Sequence, residues 1–350
     1  MTWKREACAV AIAFLSCFAS QSPTAQNPGA QNGPATATQK AQEKIRVQSN
    51  LVVLSVTVKD ANDNLVSGLR QDDFRVYDDD VEQNILTFAD EGLPLSLVIL
   101  VDNDMKWKEG NAMTQSLQTI AASLSETDEA MVCRYDMLFY PGDKFTHVSG
   151  DLLGDLKSAQ AAAKPSPQYI PQPMVTGTSS TSGPPVQAAP VYSSSRPSKA
   201  IDDALYSAAD LLRDRPRDRR RVILIVSDGQ NEPKLNHNTP KVVLEELLQQ
   251  NISVYALAVG SEGHRKFSGL ANYATQTGGD IFYAAKSAEM QNLYPRITEQ
   301  ARHDYIIAYA PAGNNTASSY HNLRVTIDDP SLIASTRSGY YTGPPEAPKN

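Results

Sequence analysis

Leu95–Asp102 (LSLVILVD) and Arg221–Asp228 (RVILIVSD) are nearly continuous apolar runs, and each stops at an aspartate. A strand with one wet face alternates polar and apolar residues, whereas a strand covered on both faces has no need to. Both runs therefore predict central strands of a mostly parallel sheet. Working outward, helical apolar spacing is expected over Ala112–Leu124, Leu152–Ala163, Ala200–Arg213, Val242–Gln249, Phe267–Thr275 and Met290–Arg302. Further strands are expected over Ala130–Phe139, Ile252–Val259 and Asp280–Ala284, with Lys144–Val148 as an edge strand. Strand–helix alternation of this kind predicts the α/β class, with a doubly wound, mostly parallel sheet over residues 93–302.

The flanks read differently. Residues 45–92 carry β-rich runs at Leu51–Val58, Asp73–Tyr77 and Asn84–Ala89, with Asp78–Asp80 as a hairpin turn. Residues 303–342 add Tyr305–Ala310, Asn322–Ile327 and Ile333–Arg337. The two flanks are expected to pack together as one small β-sandwich-like module with the α/β domain inserted in it; the alternative is that the last strands extend the α/β domain. Contacts between Leu51–Val58 and Tyr305–Ile327 separate these readings. Residues 164–198 are rich in Pro, Ser, Thr and Gly and nearly uncharged, which predicts a flexible insertion. Residues 343–350 form a short tail.

At the amino end, Lys4 and Arg5 precede the apolar run Ala7–Ala19, after which the chain turns polar. A charged start, a short apolar core and small residues predict a signal peptide over residues 1–19, followed by a disordered tether over residues 20–44. The run is short of the roughly 20 residues a membrane-spanning helix needs. Export to the periplasm, cell envelope or exterior is therefore expected, with a lipoprotein at Cys17 as a weaker alternative. Of the three cysteines, Cys8 and Cys17 lie in the signal, so Cys133 alone would remain and no internal disulfide is expected. The net charge of -7 argues against a nucleic-acid partner, which calls for a basic face.

Two buried strands that end in acids meet, in a doubly wound sheet, at the crevice where strand order reverses. The surrounding sequence, VILVDNDMK (Val98–Lys106) and VILIVSDGQN (Val222–Asn231), resembles the von Willebrand factor type A (VWA) domain. Gly68–Leu69, Asp72–Asp73–Phe74, Arg75–Val76–Tyr77 and Leu86–Thr87–Phe88 resemble the leader of the bacterial exported "VWFA-related" family. His303–Tyr309, His321–Arg324 and Arg337–Tyr341 (RSGYY) are similar to its tail, so the resemblance spans about residues 45–342. It implies a VWA/Rossmann-like fold and a non-enzymatic protein that binds a protein or other macromolecule at the top face of the domain.

The resemblance also implies a metal-ion-dependent adhesion site: an Asp-x-Ser-x-Ser loop, a Thr from a second loop and an Asp from a third. Asp102 and Asp228 match the two aspartates. Asp104 stands at the first serine position and Lys106 at the second. Lys199 stands at the threonine position, with Ser198 beside it. A charged ammonium has no lone pair for a cation and repels it. One reading is thus a degenerate site without cofactor, its acids neutralised by Lys106 or Lys199, which would then meet a partner's carboxylate. A second is a remodelled Mg²⁺ or Ca²⁺ site on Asp102, Asp104 and Asp228. In a third the side chains point elsewhere and the arrangement only supports the fold.

A rival reading uses the same residues. Asp102-x-Asp104 after a buried strand, with Ser227 ending another, is similar to the haloacid dehalogenase-like phosphohydrolases, Mg²⁺-dependent enzymes with an aspartate nucleophile. Lys106 departs from that family's pattern, and its downstream lysine and paired acids are not evident. No phosphate loop or Gly-x-Gly-x-x-Gly fingerprint follows a strand. His147, His237, His264, His303 and His321 lack metal-ligand spacing and are expected at solvated positions. The basic run Arg213–Arg221 reads as a solvated helix end or a docking patch.

Overall fold

The computed structural model describes residues 51–90, 92–103, 119, 122, 124–162, 199–260, 264–285, 287–311 and 319–342. All lie in one unit, Val47–Asn350. In chain order the strands begin with β1 (Val52–Lys59), β2 (Phe74–Asp78), β3 (Val81–Gln83) and β4 (Ile85–Ala89). The α/β domain follows with β5 (Leu95–Asp102), β6 (Glu129–Tyr135), β7 (Phe139–Tyr140), α1 (Ser149–Ala162), α2 (Ile201–Arg213) and β8 (Arg220–Ser227). It continues through α3 (Pro240–Gln249), β9 (Ile252–Val259), α4 (Ser268–Gln276), β10 (Ile281–Ala284) and α5 (Ser287–Arg302). The last strands are β11 (Tyr305–Tyr309), β12 (Ser319–Ile327), β13 (Ile333–Ser335) and β14 (Gly339–Thr342).

The central sheet has the order β10-β9-β8-β5-β6-β7. Its neighbours run parallel except for β7, which is antiparallel to β6. Every residue of β5 is buried, and alternate side chains serve different layers. Leu95, Leu97, Ile99 and Val101 pack with Leu152 of α1 and Met290, Tyr294 and Ile297 of α5. Val98 and Leu100 face Ile201, Ala204, Leu205 and Ala208 of α2. Each such aliphatic side chain contributes about 1.5–3 kcal/mol on full burial, which is why the run tolerates almost no polar residue. The sheet is the mixed, mostly parallel one the apolar runs predict. Because β6 lies on one side of β5 and β8 on the other, the order reverses between β5 and β8. A crevice therefore opens at their carboxyl ends.

Two antiparallel four-stranded sheets, β13-β1-β11-β4 and β14-β12-β2-β3, flank it. β1 pairs with β11 from Val52↔Tyr309 to Val56↔Tyr305, and β2 pairs with β12 from Phe74↔Ile327 to Asp78↔Leu323. Leu54, Val56, Phe74, Val76, Ile307, Tyr309 and Val325 share one core. Strands from before and after the α/β segment thus complete the same two sheets.

Several boundaries differ from the sequence expectations, each for a local reason. The strand expected over Ala130–Phe139 ends at Tyr135. Asp136 turns the chain, its Oδ1 accepting the Leu138 amide at 2.9 Å, and β7 returns along β6. Lys144–Val148 forms no edge strand, and Thr146 makes only an isolated bridge to Ala130. After the turn at Asp79 and Asp80, whose φ angles are 48° and 63°, β3 returns on β2 while β4 crosses to the other sheet beside β11. The basic run is a solvated helix end only at its start, where exposed Arg213 closes α2. Arg215 grips both oxygens of Glu129 at 2.8 Å, Arg219 donates to Ser96 Oγ and to the Leu95 and Thr127 carbonyls, and Arg220 is buried against Asp304. The expected signal peptide, tether, insertion over 164–198, tail and most of the helix at Ala112–Leu124 lie outside the described residues. Among the described residues no helix is long and apolar enough to cross a membrane.

Candidate functional site

At the carboxyl ends of β5 and β8 three charged side chains meet. Lys199 Nζ donates to Asp102 Oδ2 at 2.6 Å and to Asp228 Oδ1 at 3.0 Å. The side chains of Lys199 and Asp102 are 1% and 0% exposed, and that of Asp228 is 21% exposed. Burial alone would pull the lysine toward its neutral form, but attraction and hydrogen bonding from Asp102 and Asp228 outweigh it. The ammonium is therefore held above its ordinary pKa.

Each member is fixed by backbone. Asp102 is the last residue of β5, aligned with Tyr135 of β6. Asp228 follows β8, and its Oδ1 also accepts the Gln230 amide at 2.9 Å. Gly229 makes that turn possible with φ 73°, and a Cβ there would stand 2.6 Å from the Phe267 ring. Lys199 sits just before α2 and is pinned by its carbonyl, which accepts Glu232 N at 2.9 Å. The next amide, Ala200 N, donates to the Asp136 carbonyl at 2.9 Å. The start of α2 is bound by neighbouring loops: Asn231 Oδ1 accepts Ile201 N, and Asn236 Oδ1 accepts the amides of Asp202 and Asp203. Asp203 in turn accepts the amides of His237 and Asn238, and these hydrogen bonds outweigh its partial burial and hold its carboxyl below the usual range.

A neutral relay lies beneath the ions. Tyr135 OH donates to Ser227 Oγ at 2.7 Å, and Ser227 Oγ stands 3.3 Å from Asp102 Oδ2 while accepting the Gly229 amide at 3.1 Å. Burial, reinforced by the charge of Asp102, raises the Tyr135 phenol well above its ordinary pKa, so it keeps the proton it donates to Ser227. Sequence reading missed Tyr135, because nothing in a β-strand pattern marks a tyrosine that reaches across to a neighbouring strand's last residue. Asn103 was missed too. It is buried, donates to Asp136 Oδ2 at 3.1 Å and accepts from Arg134 at 3.3 Å.

Of the residues singled out in the sequence, Asp102, Asp228 and Lys199 come together. Asp104, Lys106 and Ser198 lie outside the described residues. A divalent ion shared by Asp102 and Asp228 would need the volume that the Lys199 ammonium holds, and would face its positive charge. The described residues do not fit a metal there. Nor does Lys199 face outward to a partner: its side chain is 1% exposed and its ammonium is held by the two acids.

No protein-family model matches the chain, and no curated protein matches it. Among solved structures, a von Willebrand factor type A protein from Catenulispora acidiphila is 10% identical over 83% of this chain and 72% of its own, with a TM-score of 0.43. The strand order and winding are those of the doubly wound α/β class. The SpRpn10 VWA domain is 11% identical, covering 57% of this chain and 95% of its own, with a TM-score of 0.38. Proximal thread matrix protein 1 from the mussel byssus is 10% identical over 61% of this chain, with a TM-score of 0.42, and the chain spans about half of it, 49%. These distant likenesses say nothing of the charge cluster, whose description rests on the α/β domain's own residues.

Proposed function

We propose that this is an exported, non-enzymatic binding protein that recognises a protein or other macromolecule through the carboxyl-end face of its VWA-like domain, with no metal at the degenerate adhesion site. The α/β domain is inserted in the β-sandwich, which serves as its base. One observation carries the reading: the Lys199 ammonium lies between Asp102 and Asp228, within hydrogen-bond distance of both. A buried acid pair with neither cation nor amine would repel and be desolvated, so the amine does the balancing that an ion does elsewhere. With Lys199 committed inward, Lys106 remains the lysine of the degenerate motif proposed to meet a partner's carboxylate, and the partly exposed Asp228 is offered to a partner's cation.

Titration of Mg²⁺, Mn²⁺ and Ca²⁺ into the protein by calorimetry tests this. The expected result is no saturable binding that depends on Asp102. Micromolar binding abolished by Asp102→Ala would overturn the lysine-neutralised site. A partner captured from the envelope fraction should stay bound in chelator and be lost with Asp228→Lys; capture that requires Mg²⁺ refutes the metal-free reading. Magnesium-dependent hydrolysis of a generic phosphate ester, lost in Asp102→Asn, would sink the non-enzymatic assignment in favour of a phosphohydrolase.

A further inference from the structure

The β-sandwich carries a second charged group, far in sequence from the first and unused by it. We propose that Asp78, Asp79 and His321 form a binding site for a zinc-class divalent transition metal. Asp78 ends β2 and Asp79 begins the turn after it, while His321 lies on β12, the strand paired with β2. Asp79 N donates to the Asn322 carbonyl at 2.9 Å, which fixes the turn against β12 beside the histidine.

The geometry suits a small tetrahedral ion. His321 Nδ1 is 2.9 Å from Asp79 Oδ2 and 3.5 Å from Asp78 Oδ1. All three ligand atoms lie within 4.8 Å of one another. Around a tetrahedral ion with bonds of about 2.0–2.1 Å, neighbouring ligand atoms stand about 3.3 Å apart, and the two histidine edges straddle that separation.

Each ligand also has one polar atom held from outside and another turned toward the group. Asp78 is 6% exposed; its Oδ2 accepts Tyr309 OH and Tyr340 OH, both at 2.8 Å, yet its Oδ1 has no hydrogen-bond partner. A buried carboxylate oxygen left in that state is costly unless something electropositive reaches it. Asp79 Oδ1 accepts the Asn322 amide at 2.9 Å while Oδ2 faces the ring. His321 Nε2 stands 3.0 Å from Ser319 Oγ, and the ring stacks on Tyr340. A proton on Nε2, given to Ser319, leaves Nδ1 with its lone pair toward the acids, as metal-bound histidines are oriented by an outer partner. The Asp79 side chain is 48% exposed, which gives an ion a path in and leaves room for a water as fourth ligand. One imidazole with two carboxylates favours zinc and its neighbours over Mg²⁺ or Ca²⁺, which prefer all-oxygen shells of six or more.

Zinc and cobalt(II) titrations of the purified chain test the site. One equivalent of zinc should bind by calorimetry, and cobalt(II) should give the intense visible absorption of a tetrahedral complex. His321→Gln should weaken zinc binding about 100-fold and remove that absorption. Asp79→Asn is the variant least able to disturb folding, because asparagine accepts the left-handed φ of 48° at this position. It should weaken binding roughly tenfold. Asp102→Asn should leave the affinity unchanged, which separates this site from the one on the VWA-like domain. Absence of stoichiometric zinc binding, or binding that either His321→Gln or Asp79→Asn leaves intact, overturns the proposal.

Discussion

At the carboxyl ends of β5 and β8 one ammonium serves two carboxylates; at the amino end of β8 one guanidinium serves a single carboxylate and two neutral acceptors. Arg220, the first residue of β8, meets Asp304 and also donates to the Ala301 carbonyl at 2.6 Å and to Tyr255 OH at 3.1 Å. Asp304 accepts Thr57 Oγ1 at 2.6 Å, so the pair joins β8 to β1 and to the segment between α5 and β11. Both partners are buried, at 5% and 2% exposure, and burial pushes the Asp304 carboxyl up even beside Arg220. The amino-end pair balances its charge within itself and is closed to water. The carboxyl-end trio shares one ammonium between two acids and keeps one of them, Asp228, partly in solvent. In open α/β sheets ligands bind outside the carboxyl ends of the strands, and it is at that end that the partly exposed acid lies.

The largest effect should come from breaking the closed pair. Arg220→Met strands Asp304 and should cost about 3–5 kcal/mol, measured by denaturant unfolding. Pairing it with Asp304→Asn should recover much of that loss, and a double variant no better than the single one would contradict an electrostatic origin. Lys199→Met comes next, near the lower end of the same range, because Asp228 can hydrate once the amine is gone. Equal losses in the two variants would erase the distinction between a closed and an open cluster.

A smaller effect is a pH signature. Lys199 has its pKa raised by folding, so the stability it lends is complete below the ordinary lysine value of 10.5 and is lost as pH rises through the higher folded value. The stability gap between the parent chain and Lys199→Met should therefore stay constant from neutral pH to about 10.5 and shrink above it. A gap that closes well below that value would mean the ammonium is not held by the acids. The smallest effect concerns Cys133 in the buried middle of β6. Burial pushes its thiol up to about 11, so thiol reagents at neutral pH should label it only after unfolding. Rapid labelling of the native chain would show β6 to be far less sealed than β8.

The two ends also differed in how much the sequence revealed. β5 and β8 were legible because full burial on both faces writes itself as an unbroken apolar run, and Asp102 and Asp228 were legible as the residues where those runs stop. Lys199 stood out only through the resemblance, as the residue occupying a threonine's place. The amino-end pair was not legible at all: Arg220 lay inside RDRPRDRRR, whose composition reads as solvated surface, and its partner Asp304 is distant in sequence. His321 was placed at a solvated position for the same reason, yet its side chain is 12% exposed and held by Asp79 and Tyr340. Local pattern reports burial of apolar atoms well. It is nearly silent on charges whose partners come from remote strands.

The pairing of β1 with β11 bears on how the chain reaches its native state. The Thr57–Asp304 hydrogen bond closes over 247 residues, and the β1–β11 ladder beside it cannot form until β11 has been made and the intervening segment has brought its ends close. Contacts of such long range slow folding and leave strand edges uncovered meanwhile. During synthesis β1 waits for β11 and β2, paired at first only with β3, waits for β12, so among the described strands these early ones are the last to be completed, and the natural place for a holding chaperone to act.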